Sequence, residues 1–308
     1  MIVDSLLVLA GLVLLVLGGD NLVKGAVNLY LRLGVTPTVV GLTVVAFGTS
    51  APEMLVSVSA ALKGSTDIAM GNVVGSNIAN VLVILGACAA LTGIPTKGLD
   101  LKESWVMMMA ASVVLIVMAV SGPIGRIDGL LLLAMLGLVL WRQLSTAGAG
   151  GEGDLEGADA SASGGKIALW LAIGLVALPV GAQLLVTGAT DIARAFGISE
   201  AVIGLTLVAV GTSLPELAAS IASARAGRAD MALGNVVGSN LFNILAILGI
   251  TALIKPLPIP PQMLQLDLWV MLAASALLWP FLFRSVRMGK RVGLALLAGY
   301  ALYVGILL

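Results

Sequence analysis

The feature that most constrains this chain is that it contains the same block twice, in register over a long span. Gly41-Leu42-Thr43-Val44-Val45-Ala46-Phe47-Gly48-Thr49-Ser50-Ala51-Pro52-Glu53 matches Gly204-Leu205-Thr206-Leu207-Val208-Ala209-Val210-Gly211-Thr212-Ser213-Leu214-Pro215-Glu216, at an offset of 163 residues (216 − 53). At that same offset Gly71-Asn72-Val73-Val74-Gly75-Ser76-Asn77-Ile78-Ala79-Asn80 matches Gly234-Asn235-Val236-Val237-Gly238-Ser239-Asn240-Leu241-Phe242-Asn243, and Gly25-Ala26 matches Gly188-Ala189. No gap is needed anywhere between them. The fold must therefore be built from two copies of one unit.

The unit is a bundle of membrane helices. With 59% hydrophobic and only 10% charged residues, the chain is too apolar for a water-soluble surface, and several runs approach the ~20 residues that span a bilayer. Breaking the apolar runs at charged or Gly/Pro-containing gaps predicts ten helices, near 3–27, 37–62, 67–91, 104–120, 127–141, 167–193, 200–224, 231–253, 267–283 and 291–308. Between the fifth and sixth, residues 145–165 are rich in Gly, Ala, Ser and acid, a composition that packs no core and reads as a flexible cytoplasmic linker. The expected organisation is thus a first five-helix repeat over 1–144, the linker over 145–165 and a second five-helix repeat over 166–308. An odd number of crossings per repeat makes the second enter the membrane upside down, giving inverted repeats about an axis in the membrane plane. The expected fold class is an all-α integral membrane protein.

Orientation follows from the basic residues. With the N-terminus outside, Lys24, Arg32, Lys97, Lys102, Arg142, Lys166, Arg225, Arg228, Arg284, Arg287, Lys290 and Arg291 lie inside, and only Lys63, Arg126, Arg194 and Lys255 outside. That bias places both termini on the extracytoplasmic side of the inner (plasma) membrane. The first helix lacks the basic region and the cleavage pattern of a signal peptide and is expected to be retained. Trp105, Trp141, Trp170 and Trp269 fall at segment ends, as interfacial rings do. A single cysteine, Cys88, excludes an intrachain disulfide and a thiolate cluster, and the absence of histidine removes imidazole as ligand or base.

The chemistry must then come from oxygen. Glu53 and Glu216 lie mid-segment, where an ionised carboxylate calls for a partner, a wet cavity or a bound cation. No Lys or Arg occurs in the core of either segment. Pro52 and Pro215 remove a backbone donor, so each helix is expected to break there and free carbonyls toward Gly48 and Gly211. Helical spacing places Thr49 and Ser50 on the face of Glu53, and Thr212 and Ser213 on that of Glu216. Asn72, Ser76 and Asn80 recur every four residues, as do Asn235, Ser239 and Asn243, and Gly75 and Gly238 beside them allow close helix approach. For Asn72, Asn77, Asn235 and Asn240 interhelical hydrogen bonding is the expected role. Carboxylates, hydroxyls, amides and carbonyls form a set suited to hard cations such as Ca²⁺ or Na⁺. One Ca²⁺, or two monovalent ions, balances two carboxylates, so competition for a shared site would give exchange.

At these motifs the sequence resembles the cation/Ca²⁺ exchanger superfamily, most closely prokaryotic sodium/calcium exchangers, whose paired repeats carry G-T-S-x-P-E and G-N-V-V-G-S-N-x-x-N. The resemblance implies ten helices, no cofactor, and Ca²⁺ and Na⁺ bound as transported substrates. It implies alternating access in which the first and sixth helices, bearing Gly18, Gly19 and Gly25 and Gly181 and Gly188, slide across a core holding the site. It assigns Ca²⁺ to Glu53 and Glu216 with the backbone oxygens of Thr49 and Thr212. Sodium would involve Ala46, Ser50, Ser76, Ala209, Ser213 and Ser239 together with the glutamates, with Asn80 as the central amide. Asn243 departs from the pattern, since such exchangers often carry aspartate there. Beyond the ions and the lipid bilayer, no protein partner and no nucleic acid is expected.

Proton/Ca²⁺ or K⁺-dependent Na⁺/Ca²⁺ exchange stands as the alternative, because two repelling carboxylates in a low dielectric can also take up protons. An intramembrane hydrolase using two acids lacks a nucleophile with its base. A non-transporting sensor or channel would not need the balance of charge. No enzymatic activity is expected.

Overall fold

The computed structural model describes residues 1–146, 162–197, 211–284 and 286–307. Among these the protein is helical throughout, interrupted only by short connections and two isolated bridges, Ile94 with Met288 and Ile124 with Leu257. The helices are α1 (Ile2–Leu33), α2 (Pro37–Thr49), α3 (Ala51–Leu62), α4 (Thr66–Leu91), α5 (Lys102–Ser121), α6 (Arg126–Thr146), α7 (Gly164–Ala195), α8 (Leu214–Arg225), α9 (Ala229–Ile254), α10 (Met263–Phe283) and α11 (Lys290–Leu307). Among the described residues eight are long and apolar enough to cross a membrane, and nine if the bent pair α2 and α3 counts as one span. Of the expected segment 200–224 only α8 and the turn before it are described; residues 198–210, and with them Ala209, lie outside the described residues, as does most of the expected linker. The ends of that linker differ from expectation. Helix α6 runs on through Thr146 and α7 begins at Gly164, where the Ser163 hydroxyl accepts from the Lys166 amide and supplies the cap.

The centre of the molecule is α4 packed with α9. Their spans are mostly buried although both are apolar enough for lipid, which marks them as bundle interior. Each is α-helical until the last asparagine of its motif and then opens into a π-helical turn, Asn80–Leu85 and Asn243–Ile247. Such turns widen the helix and re-aim side chains.

Around this core, α1 and α7 form a separate antiparallel pair. Gly11, Gly18 and Gly25 on α1, and Gly174, Gly181 and Gly188 on α7, are each seven residues apart and face the partner helix. A Cβ placed on Gly181 would lie 2.9 Å from the Gly11 carbonyl oxygen, and one on Gly25 2.7 Å from Leu171. A glycine stripe lets the two backbones touch along their length. Four of these six, Gly18, Gly25, Gly181 and Gly188, are among the residues expected on the sliding helices, whereas Gly11, Gly174 and the seven-residue spacing that aligns all six are not part of that expectation.

Candidate ion site

The glutamates sit where their helices begin. Helix α2 ends at Thr49, Ser50 turns the chain, and α3 restarts at Ala51 at 45° to α2. Proline in the first turn of α3 fits, because its missing N–H would have had no helical partner there. Glu53 therefore lies in the first turn of α3, at the partially positive helix end that favours a carboxylate. Ser213, Pro215 and Glu216 repeat the arrangement at the start of α8. The expected break is present, and it places both motif turns in the buried interior. Each glutamate is 1% exposed.

The hydroxyls do not serve the glutamates of their own helices. Ser50 Oγ donates to Glu216 Oε1 at 3.1 Å, and Ser213 Oγ donates to Glu53 Oε1 at 3.3 Å. Helical spacing fails here because the chain is not helical across residues 50 and 213. Thr49 Oγ1 lies 3.3 Å from both the Ala46 carbonyl and Asn235 Oδ1. Thr212 is half-buried on the turn before α8. The Ala46 carbonyl also accepts the Ser50 amide at 3.0 Å, so two donors already approach that oxygen.

The asparagines divide into two groups. Asn72 donates to the Glu53 carbonyl at 3.1 Å and to Ser57 Oγ at 2.9 Å; Asn235 donates to the Glu216 carbonyl at 3.4 Å and to Ser220 Oγ at 3.0 Å. They brace the first turns of α3 and α8 from α4 and α9. Ser57 and Ser220 were missed in the sequence, although they too match at the repeat offset and both are fully buried. The second group joins α4 to α9. Asn77 donates to the Asn240 carbonyl at 3.4 Å and Asn240 to the Asn77 carbonyl at 3.3 Å. Asn80 donates to Asn240 Oδ1 and Asn243 to Asn77 Oδ1, both at 2.9 Å.

These bonds use the amide nitrogens of Asn80 and Asn243 and leave their oxygens over. Glu53 Oε2, Glu216 Oε2, Asn80 Oδ1, Asn243 Oδ1 and Ser239 Oγ are all buried without a hydrogen-bond partner among the described residues. Ser76, the mate of Ser239, is buried as well. An unsatisfied buried polar group costs about 1–3 kcal/mol, more if charged, and four of these five atoms are pure acceptors. A hydroxyl, an amide or a cationic group could donate to them, and among the described residues none does. Among the described residues no group of three or more His, Cys, Asp or Glu could hold a metal, so two carboxylates carry the whole charge of the site and neutral oxygens supply the rest.

The family described as sodium/calcium exchanger protein matches residues 4–145 and 166–308, a stretch that includes both glutamates and both asparagine motifs. The chain belongs to the sodium/calcium exchanger family. Members are cation/Ca²⁺ antiporters of the membrane. This exchanger-family chain is 39% identical to an inner membrane protein of Escherichia coli, YrbG, over 100% of its own length and 97% of the relative's. It is 33% identical to a sodium/calcium exchanger of Methanosarcina acetivorans, covering 99% and 98% of the two chains. A solved structure of the sodium-calcium exchanger NCX_Mj superposes with a TM-score of 0.87 at 34% identity, covering 100% of this chain and 99% of that one. A multi-pass, helical membrane protein is thus established for the exchanger-family chain, in agreement with its apolar helices.

Proposed function

We propose that this protein exchanges Ca²⁺ for Na⁺ across the inner membrane by alternating access, with both ions competing for the oxygens around Glu53 and Glu216. The observation that carries the reading is the set of buried acceptors left without donors on Glu53, Glu216, Asn80 and Asn243. A bound cation can be satisfied by carboxylate and amide oxygens alike. Protons are the runner-up counter-ion, but protonating the glutamates would supply hydrogen only to the carboxylates and would leave the amide oxygens orphaned. Sodium serves both kinds of oxygen. With asparagine at 80 and 243, two formal charges are available, which one Ca²⁺ or two Na⁺ balance, so the expected exchange is two Na⁺ per Ca²⁺ and close to electroneutral.

The full architecture in this reading is ten helices in two inverted repeats, with both termini outside. Support for alternating access comes from broken symmetry between the two halves. On α8, Ala218 and Ala222 lie against Gly19 of α1, the glycine's missing Cβ position being 3.0 Å from the Ala218 carbonyl, and Ala219 is fully buried. The matching residues of α3, Leu55 and Val56, are 72% and 38% exposed. The α1–α7 pair is thus seated against one repeat and not equally against the other, as a pair with two resting positions would be.

Proteoliposomes loaded with Na⁺ and diluted into Na⁺-free buffer should accumulate ⁴⁵Ca²⁺, with little response to an imposed membrane potential. Uptake that follows a pH gradient in the absence of Na⁺, and not the Na⁺ gradient, would reject sodium as the driver.

A further inference from the structure

A cavity system lies outside the ion site, along the seam between α1 and α8. An apolar groove of about 220 Å³ is walled by Leu12 and Val16 of α1, Leu185 of α7, and Leu214, Leu217 and Ile221 of α8. It continues into a polar cavity of about 350 Å³ lined by Asp20, Lys24, Val27, Arg225 and Arg228; Asp20, Ala222 and Arg225 border both. Along α8, Leu214 to Arg225 spans roughly 16 Å at 1.5 Å per residue. That is about half of a 30 Å hydrocarbon core, so the groove runs from the depth of Glu216 to one membrane surface. The distribution of Lys and Arg makes that surface the cytoplasmic one.

Three cations face this cavity. Among the described residues neither Lys24 nor Arg225 makes an ion pair within 4.0 Å, and both are exposed. Arg228 is stacked over the Tyr30 ring at 5.1 Å and is 3.7 Å from Asp230, and its buried Nε has no hydrogen-bond partner. Asp20 and Asp230 are the opposing acids, which leaves an excess of positive charge. A hydrated cation would find leucine walls and then arginines, so the seam does not suit an ion path.

We infer that the α1–α8 seam binds an anionic phospholipid of the cytoplasmic leaflet, one acyl chain lying in the groove and the phosphate held by Lys24, Arg225 and Arg228. Basic pockets between membrane helices on this side take lipid head groups, and guanidinium binds phosphate through paired hydrogen bonds. Leu12 and Val16, 46% and 55% exposed, keep one side of the groove open to the bilayer, so a lipid can enter sideways. Its occupant would tie the α1–α7 pair to α8.

Native mass spectrometry of the purified protein with phosphatidylglycerol or phosphatidylcholine tests this. One phosphatidylglycerol should be retained at least about tenfold more than phosphatidylcholine. The double variant Lys24→Gln with Arg225→Gln should lose that preference, while Lys24→Arg with Arg225→Lys keeps it. Val16→Trp, which fills the groove from its lipid-exposed wall, should weaken retention of both lipids. Equal retention of the two lipids by the native protein would overturn the inference. So would displacement of phosphatidylglycerol by millimolar inorganic phosphate, which would mark a site for free anions. A neutral double variant that keeps the preference would overturn it too. The readout does not depend on transport, so it stands or falls separately from the proposed exchange.

Discussion

Glu216→Gln should abolish Na⁺-driven Ca²⁺ uptake, and Glu53→Gln should do the same, because each removes half of the charge at a site where the described residues supply no third acid. Breaking a buried charge interaction by deleting one partner costs about 3–5 kcal/mol. At about 1.4 kcal/mol per tenfold, Ca²⁺ affinity should fall by at least about 100-fold. The isosteric amide keeps the Ser50 or Ser213 hydroxyl contact available, since the remaining oxygen still accepts. The fold should therefore survive, as an unchanged elution profile and thermal midpoint would demonstrate. Uptake by either variant at the native rate would remove the glutamates from the site.

Gly181→Leu should stop transport for a different reason. The position is pressed against the Gly11 carbonyl and Leu14 and Leu15 of α1, with no room for even a methyl group. A leucine there must separate the α1–α7 pair or shift its register, and overpacking of this kind typically costs 1–3 kcal/mol. The residues proposed to bind the ions lie on other helices. Uptake should fall at least about tenfold while equilibrium Ca²⁺ binding in detergent stays within about twofold of native. Gly137→Leu on α6, where nothing lies within 4 Å, is the control and should leave both unchanged. Native transport by Gly181→Leu would mean that the close pairing of α1 and α7 has no part in the cycle.

Much of this was legible in the residues because the two repeats are so alike. Glu53 and Glu216 stood out as acids in apolar segments, and Asn80 and Asn243 as the ends of polar stripes; the structure leaves an acceptor over on each of these four. Asn72, Asn77, Asn235 and Asn240 make the interhelical bonds expected of them. The crossing of Ser50 to Glu216 and Ser213 to Glu53 was not legible, since helical spacing relates neighbours on one helix and the turns before Pro52 and Pro215 are not helical. The π-helical turns after Asn80 and Asn243 leave no mark in composition. Ser57 and Ser220 did leave one, a matched pair at the repeat offset, but they fall outside the blocks of strongest identity. The glycine stripe was partly legible: Gly18, Gly25, Gly181 and Gly188 were visible and Gly11 and Gly174 were not, because the seven-residue spacing matters only once α7 is known to run antiparallel to α1.

In the proposed exchange, Ca²⁺ and Na⁺ contend for one set of oxygens between the repeats. Equilibrium ⁴⁵Ca²⁺ binding to the purified native protein, measured at rising Na⁺ and constant ionic strength, tests it most directly. Na⁺ should raise the apparent Kd for Ca²⁺ with a slope near two on logarithmic axes and leave the number of Ca²⁺ bound at saturation unchanged. Ca²⁺ binding that is indifferent to Na⁺, or a saturating level that falls while the Kd stays constant, would contradict a shared site.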